Sequence, residues 1–288
     1  MVSGPTSFEG LRFQGVIQQI KQGNMVMTKS AGRKSIFITG AASGMGLETA
    51  RLFAAKGWFI GACDVNAGGL AALEQELGSA NCLVQTLDVT DRTAFAATMA
   101  AFGAATGGTM DILFNNAGIG RGGAFIDQPW EDVMAVINVN LIAVLSGIQL
   151  GFPLLKATPN ALCFTTSSSS ATFGMGGIAV YSATKHAVKG LTEALSVEFK
   201  RHGVRAADTL PGAIDTPLLP DHIKQNSPTE GMWRLIPPMA VAEAVWSAYN
   251  SDKIHWYVPA ELAEFDQMAT SAPEAVRDQM ATTLNFLD

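Results

Sequence analysis

Charged side chains are scarce in this sequence, at 15% of its 288 residues, whereas hydrophobic residues make up 48%. This balance excludes an intrinsically disordered chain, which combines few apolar residues with many charges. The formal net charge is −6. A nucleic-acid-binding protein is therefore disfavoured, because it would present a basic domain. A chain of this length can bury about three quarters of its unfolded surface in a single domain.

Cysteine and histidine are also few. The three cysteines lie in apolar runs without CxxC spacing, and the four histidines are scattered. We therefore expect neither a disulfide framework nor a metal site. We interpret Cys63, Cys82 and Cys163 as small buried hydrophobic residues.

Targeting and membrane-spanning patterns are not apparent. No charged stretch followed by an apolar run and a cleavage site occurs near the N-terminus, so we expect a cytoplasmic protein. Residues 133–155 carry no charge, but Asn, Ser, Gln, Gly and Pro interrupt them. A membrane helix needs about 20 mostly apolar residues. We interpret this segment as a buried helix of a soluble domain, with no membrane partner.

Short apolar runs alternate with helical segments from about residue 34 onward. The runs lack polar alternation and predict buried strands at 35–39, 58–63, 82–87, 111–114, 161–165, 204–210 and 255–258. Apolar residues recur with helical period at 46–56, 67–77, 91–105, 129–156, 181–202 and 240–250. Strand–helix alternation builds right-handed βαβ units. The prediction is one α/β catalytic domain over 35–288, a doubly wound parallel sheet of the Rossmann type.

Residues 1–34 do not show the alternating strand and helix pattern of the rest of the chain, and they carry a charge of +4. Three glycines break their helical spacing. We interpret them as a loosely attached extension, or as an over-long start with initiation at Met25 or Met27. A basic amphipathic anchor is the alternative.

A glycine-rich turn follows the first predicted strand, where residues 40–46 read Gly-Ala-Ala-Ser-Gly-Met-Gly before a helix. Glycines at such a turn let backbone N–H groups approach a pyrophosphate at a helix N-terminus. The turn predicts a dinucleotide site that includes Gly40, Ser43, Gly44, Met45 and Gly46.

Asp64 ends the second predicted strand, 24 residues after Gly40. A carboxylate at this point accepts hydrogen bonds from adenosine ribose hydroxyls and repels a 2′-phosphate. No Arg or Lys occurs within 40–46 or 61–69 to hold such a phosphate. The predicted cofactor is therefore NAD rather than NADP. The alternative is that Asp64 only caps a helix or turn.

Tyr181 and Lys185 are four residues apart, so on a helix they share a face. A tyrosine with a pKa of about 10 is a poor base at neutral pH. A nearby ammonium favours the phenolate and makes Tyr181 a usable acid/base. The alternative is a surface Tyr–Lys pair.

The spacing Gly-x3-Gly-x-Gly resembles that of the short-chain dehydrogenase/reductase family. The resemblance covers about residues 34–260, and further motifs stand in the family's order. They are Asp88-Val89, Asn115-Asn116-Ala117-Gly118, Asn140, Tyr181-x3-Lys185, and Pro211-Gly212 followed by Thr216. The resemblance implies cofactor contacts from Asp88, Val89, Asn116, Ala117, Gly118, Tyr181, Lys185, Pro211, Gly212, Ile214 and Thr216.

The resemblance also implies the rest of the catalytic set. The family places its serine thirteen residues before the tyrosine, which selects Ser168 from the run 167–170. This serine would hydrogen-bond the substrate oxygen as charge develops on it. Asn140 would hold a water that links Lys185 to solvent, or would satisfy a break in its helix, and the two roles are compatible.

Two segments depart from the family pattern. Thr165 stands where the family commonly has Asn, and Ala207-Asp208 replaces Asn followed by an apolar residue. We expect these departures to alter local packing and not the reaction.

Substrate specificity should come from loops at the carboxyl ends of the strands. We expect these to be 119–125, 169–176 and the insertion 213–240. Their candidate pocket residues are Ser170, Phe173, Met175, Leu218, Met232 and Trp233. Few charges reach inward, which favours an apolar or cyclic secondary alcohol or ketone.

Three function classes follow: an NAD-dependent alcohol dehydrogenase or ketone reductase, a ring cis-diol dehydrogenase of the same family, and a non-catalytic dinucleotide sensor. The presence of Ser168, Tyr181 and Lys185 disfavours the sensor. Family members commonly pair two helices with a second subunit, and 133–155 and 187–199 are apolar enough for this. We therefore expect a homodimer or homotetramer.

Overall fold

The computed structural model describes residues 32–283. Seven parallel strands form one sheet in the order β3-β2-β1-β4-β5-β6-β7. The strands are β1 Ser35–Thr39, β2 Phe59–Asp64, β3 Cys82–Thr86, β4 Ile112–Asn115, β5 Leu162–Thr166, β6 Arg205–Pro211 and β7 His255–Val258. The predicted fold class, a doubly wound parallel sheet, is confirmed.

Helices cover both faces of this sheet. They are α1 Gly44–Ala55, α2 Ala67–Leu77, α3 Arg92–Ala105, α4 Trp130–Ile137, α5 Ala143–Lys156, α6 Ala179–Glu198, α7 Asp221–Asn226, α8 Met239–Tyr249, α9 Leu262–Ser271 and α10 Pro273–Thr283.

The core has two layers because strand side chains alternate between the faces. Ile36 and Ile38 of β1 pack on one face with Phe53 of α1 and with residues of α2 and α8. Phe37 packs on the other face with Phe95 and with residues of α5 and α6. All five residues of β1 are buried, as the uninterrupted apolar runs predict. This rigid centre fixes the strand ends that build the site.

The predicted apolar helix 129–156 is α4 and α5 joined by one wider turn, Asn138–Ile142. By length and composition alone, Trp130–Lys156 could cross a membrane. Its inner face instead packs on the sheet, where Val144, Gly147 and Ile148 are buried. A Cβ at Gly147 would lie 2.5 Å from Asn115 Oδ1. This close approach explains a glycine inside the helix.

Residues 1–31 of the predicted extension lie outside the described residues, as do 284–288. Arg33, expected in the extension, donates to the carbonyl oxygens of Gly57 and Trp58, both at 3.2 Å, and thus belongs to the domain. Helices α7, α9 and α10 were not predicted.

Candidate active site

A cleft of about 260 Å³ opens at the carboxyl ends of the central strands. The strand order changes direction between β1 and β4, and ligands of open α/β sheets bind at such a switch point. The predicted residues that line the cleft are Gly40, Ser43, Gly44, Met45, Asp64, Asp88, Val89, Asn116, Ala117, Gly118, Thr216 and Leu218. The cleft is also lined by five residues that are not among the predicted site residues: Val65, Leu87, Ile119, Val139 and Pro217.

The glycine-rich turn is built by close contact. A Cβ at Gly46 would overlap the carbonyl oxygen of Gly40. Gly44 has φ +52°, and a Cβ there would lie 2.8 Å from Cγ2 of Thr216. Ser43 precedes α1 without a side-chain capping bond, which leaves N–H groups of the first turn available to an anion. The turn therefore fits a pyrophosphate.

Asp64 lies at the end of β2 and holds the turn in place. Its Oδ2 accepts from the backbone N–H of Ala42 at 3.0 Å, and its Oδ1 from that of Asn66 at 2.9 Å. Each carboxylate oxygen has a second lone pair that can accept a ribose hydroxyl. No Lys or Arg side chain is among the residues that line this cleft within 32–283. The Asp64 carboxylate can therefore accept hydrogen bonds from a ribose.

Thr39 connects the glycine-rich turn to the loop after β4, and Thr166 connects that loop to the end of β5. The hydroxyl of Thr39 accepts the backbone N–H groups of Asn116 and Ala117, each at 3.0 Å. Asn116 donates its amide to the carbonyl oxygens of Thr39 and Gly40 at 3.1 and 3.2 Å, and accepts from Thr166 at 3.2 Å. Neither Thr39 nor Thr166 is among the predicted site residues. The available signal for Thr39 was its place directly before Gly40.

Ser168, Tyr181 and Lys185 meet between β5 and α6. The Lys185 ammonium lies 5.5 Å from the centroid of the Tyr181 ring and donates to the carbonyl oxygen of Thr166 at 2.7 Å. Ser168 lies close enough to Tyr181 to favour a lower pKa of the phenol. The Ser168 hydroxyl oxygen also accepts the backbone N–H of Ser170 at 3.1 Å.

Burial dominates the titration of this cluster. It raises the pKa of Tyr181, and the hydrogen bond with Ser168 acts in the opposite sense. It also lowers the pKa of Lys185 to about 8, against the effect of the Asp208 carboxylate. The Lys185 ammonium is expected to lower the pKa of Tyr181. Burial instead raises this pKa overall. Tyr181 is therefore a neutral phenol at neutral pH.

Asn140 is fully buried in the wider turn between α4 and α5. Its Oδ1 accepts the backbone N–H of Ile119, and its amide donates to the carbonyl oxygen of Ile119, both at 2.9 Å. A Cβ at Gly118 would lie 3.4 Å from Asn140 Oδ1 and 3.8 Å from the Lys185 ammonium. Asn140 thus holds the loop after β4 against Lys185.

The remaining predicted cofactor residues lie outside the cleft lining. Ile214 is buried and forms a bridge with Ile236. Gly212 donates its N–H to the carbonyl oxygen of Val258 at 2.8 Å, directly after Pro211 ends β6. Together they fix the start of the segment that brings Thr216 over Gly44.

The predicted pocket residues divide into separate groups. Phe173, Met232 and Trp233 pack together against buried residues of α9 and α10. Leu218 lies at the cofactor cleft. Ser170 is 1% exposed, and its hydroxyl has no hydrogen-bond partner among residues 32–283. Met175 donates its N–H to Ser182 at 3.1 Å. The contribution of α9 and α10 to this region was not predicted.

Comparison with known proteins decides the family. Residues 34–227 match the family described as short chain dehydrogenase. The chain belongs to the short-chain dehydrogenase family. It is therefore an oxidoreductase that acts on CH–OH or carbonyl groups with NAD or NADP.

Two relatives of known activity and one solved structure show the likeness. The 2,5-dichloro-2,5-cyclohexadiene-1,4-diol dehydrogenase LinX of Sphingobium indicum is 34% identical over 75% of this chain and 88% of its own. Cyclohexanol dehydrogenase of Acinetobacter sp. is 32% identical over 67% of this chain and 78% of its own. The structure of 3-ketoacyl-(acyl-carrier-protein) reductase from Brucella melitensis complexed with NADH superposes with a TM-score of 0.70. The two sequences are 26% identical, and the match covers 79% of this chain and 97% of the reductase chain.

Proposed function

We propose that this protein transfers a hydride between NAD(H) and a secondary alcohol or ketone, with Tyr181 as its acid/base. The observation that carries the proposal is the approach of Ser168, Tyr181 and Lys185 to one another, with Lys185 next to Gly118 in the lining of the dinucleotide cleft. When bound, NAD supplies the hydride acceptor and NADH the hydride donor.

The side chains then have separate roles. The Ser168 oxygen accepts from the Ser170 N–H, and the Ser168 O–H would donate to the substrate oxygen as charge develops on it. In reduction the Tyr181 phenol donates its proton to that oxygen, and in oxidation the Tyr181 phenolate takes the proton of the alcohol. The positive charge of Lys185 stabilises the phenolate. Asn140 keeps the adjacent loop in place and would hold a water beside Lys185.

The Asp64 carboxylate and the absence of basic residues along the described cleft lining support NAD over NADP. We expect NADH to bind much more tightly than NADPH in a fluorescence titration. In the isosteric variant Asp64→Asn, the repulsion of a 2′-phosphate is lost and the preference for NADH should narrow. Equal affinities in the native protein, or tighter NADPH, would contradict this assignment.

An apolar or cyclic substrate is supported by the Phe173, Met232 and Trp233 cluster. Both reported relatives are named for ring substrates. A second candidate is a ring diol dehydrogenase, which the name of LinX favours. A panel of cyclic and open-chain secondary alcohols, ketones and ring cis-diols tests the proposal through the absorbance of reduced nicotinamide. Turnover of ring alcohols or ketones would support an alcohol dehydrogenase or ketone reductase, and turnover of diols alone would support a diol dehydrogenase.

We further propose that the protein forms a homodimer or homotetramer in the cytoplasm. Ile142 and Leu145 on the long helix and Val197 on α6 are 50%, 38% and 75% exposed. Apolar side chains on the outer faces of both helices are what a subunit interface would cover.

A further inference from the structure

The insertion 213–240 is closed at its base by a short bridge. Ile214 pairs with Ile236, and the N–H of Asp215 donates to the carbonyl oxygen of Ile236 at 2.9 Å. Directly after the bridge, Thr216 lies at the cofactor cleft. Since the bridge joins only the base of this loop, other contacts must fix the residues between its ends.

The last part of the insertion packs on α9. The ring of Trp233 meets the ring of Phe265 edge-on, with 5.3 Å between the two centroids. An aromatic pair in this geometry stabilises a contact beyond the apolar area that it buries. The neighbouring Arg234 lies 2.8 Å from Glu261, but these side chains are 33% and 50% exposed, so their ion pair contributes little. Trp233 and Phe265 thus make the stronger of the two contacts.

The same aromatic pair belongs to an apolar cluster that includes three of the predicted pocket residues. Phe265 of α9 and Val276 of α10 are buried in this cluster. Phe173, Met232 and Trp233, which we call the apolar wall, pack against it and stay partly exposed. The two C-terminal helices therefore support the apolar side chains that we expect to face a substrate.

Helix α9 is in turn fixed to the helix that carries Tyr181. Asp266 of α9 follows Phe265 in sequence, accepts from the Lys189 ammonium at 2.7 Å, and also accepts from the Tyr257 hydroxyl. The side chains of Lys189 and Asp266 are only 17% and 15% exposed. Separating such a pair is costly, because it leaves a largely buried charge unpaired. Lys189 lies on α6, about two turns after Tyr181.

We propose that α9 positions the apolar wall relative to the catalytic helix α6, with Phe265 and Asp266 as its positioning residues. Phe265 holds Trp233 of the wall, and Asp266 holds Lys189 of α6. Adjacent side chains on a helix point about 100° apart, so neighbouring residues of α9 can contact two different elements. The proposal rests on the function proposed above, in which an apolar or cyclic substrate lies next to Tyr181.

The test compares the full-length native protein with Phe265→Leu, which keeps an apolar side chain but removes the ring that meets Trp233. Hydrogen exchange of peptides from 215–235, measured by mass spectrometry, reports on the insertion without any turnover. We expect exchange there to become about tenfold faster, the size of effect that an aromatic pair supplies. Met268→Ala is the matched control, because it shortens a 40% exposed side chain of the same helix. It should leave the exchange unchanged.

Steady-state kinetics with a ring alcohol or ketone give the functional readout. KM should also rise about tenfold in Phe265→Leu, because apparent affinity falls with the fraction of molecules in the binding-competent arrangement. The kcat should stay near the native value, since Tyr181 is carried by α6 itself. Partial unfolding would instead lower the apparent kcat, because fewer molecules would be active, and would leave KM unchanged.

Glu261→Gln provides a second variant should Phe265→Leu fail to fold. Its side chain is 50% exposed, and the loss of the ion pair with Arg234 should raise both exchange and KM by about twofold.

Exchange of 215–235 at the native rate in folded Phe265→Leu overturns the proposed contact. Faster exchange with an unchanged KM overturns the role given to α9 in positioning the substrate. If the native protein turned over no alcohol, ketone or ring diol, the proposed function would fail, whereas the exchange result would still decide whether α9 holds the insertion.

Discussion

At the scale of single residues, the serine run 167–170 shows how neighbouring side chains take different tasks. Ser167 donates its hydroxyl to the carbonyl oxygen of Lys185 at 3.0 Å and so fixes α6 to the sheet. Ser168 lies within reach of Tyr181. Ser170 contributes its N–H to the Ser168 oxygen. The choice of Ser168 as the donor to substrate stays a prediction, and the contacts support it.

Ser168→Ala should reduce kcat by about 10²–10³, the usual cost of removing one preorganised donor to a developing oxyanion. Ser169→Ala is the matched control, because it deletes a hydroxyl from the next position in the same buried loop. We expect near-native rates from the control in steady-state kinetics. If Ser169→Ala lost activity while Ser168→Ala remained active, the donor to the substrate would be Ser169, one residue after the predicted position.

At the scale of elements, the glycine turn between β1 and α1 depends on one close approach. Gly46→Ala would drive its Cβ into the Gly40 carbonyl oxygen and to 2.8 Å from the Asn116 amide. The strain should cost roughly 1–3 kcal/mol of stability, and NADH binding should weaken because the turn is displaced. Thermal unfolding and a NADH titration measure both effects.

Gly68→Ala in α2 is the control for that substitution. Its Cβ would meet Asn66 Oδ1 at an ordinary 3.5 Å, and Gly68 does not need a positive φ. Here the loss of unfolded-state entropy should stabilise the protein by about 0.4–1 kcal/mol. Equal effects from the two substitutions would show that the turn at Gly46 is not sterically restricted.

The strands are easier to predict from this sequence than the C-terminal helices. The seven strands were predicted within a residue or two, because fully buried strands such as β1 are uninterrupted apolar runs. Helices α9 and α10 were missed because they bury few side chains, with Leu262, Phe265, Ala269 and Val276 among them. Their packing partners Phe173 and Trp233 are distant in sequence, so no local pattern signals the contact.

The candidate site also contains residues that the sequence reveals and residues that it does not. The turn 40–46, Asp64, Tyr181 and Lys185 lie in motifs of fixed spacing. Thr39 acts through the backbone of residues that lie 77 and 78 positions away.

At the scale of the whole molecule, subunit association is the remaining prediction. Replacing Ile142 and Val197 together by Glu should give monomers in size-exclusion chromatography with light scattering, since charges would be buried in the interface. Ile126→Glu changes a residue that is 89% exposed and outside both helices, and it should leave the mass unchanged. A native protein that already elutes as a monomer would contradict the prediction.

The central claim is that Tyr181 moves the proton while NAD(H) moves the hydride. Tyr181→Phe removes only the phenolic oxygen, so the direct measurement is turnover of a ring alcohol or ketone by this variant together with its affinity for NADH. The account predicts that turnover is abolished while NADH binds almost as tightly as to the native protein. A Tyr181→Phe variant that retains a large share of native turnover would contradict it.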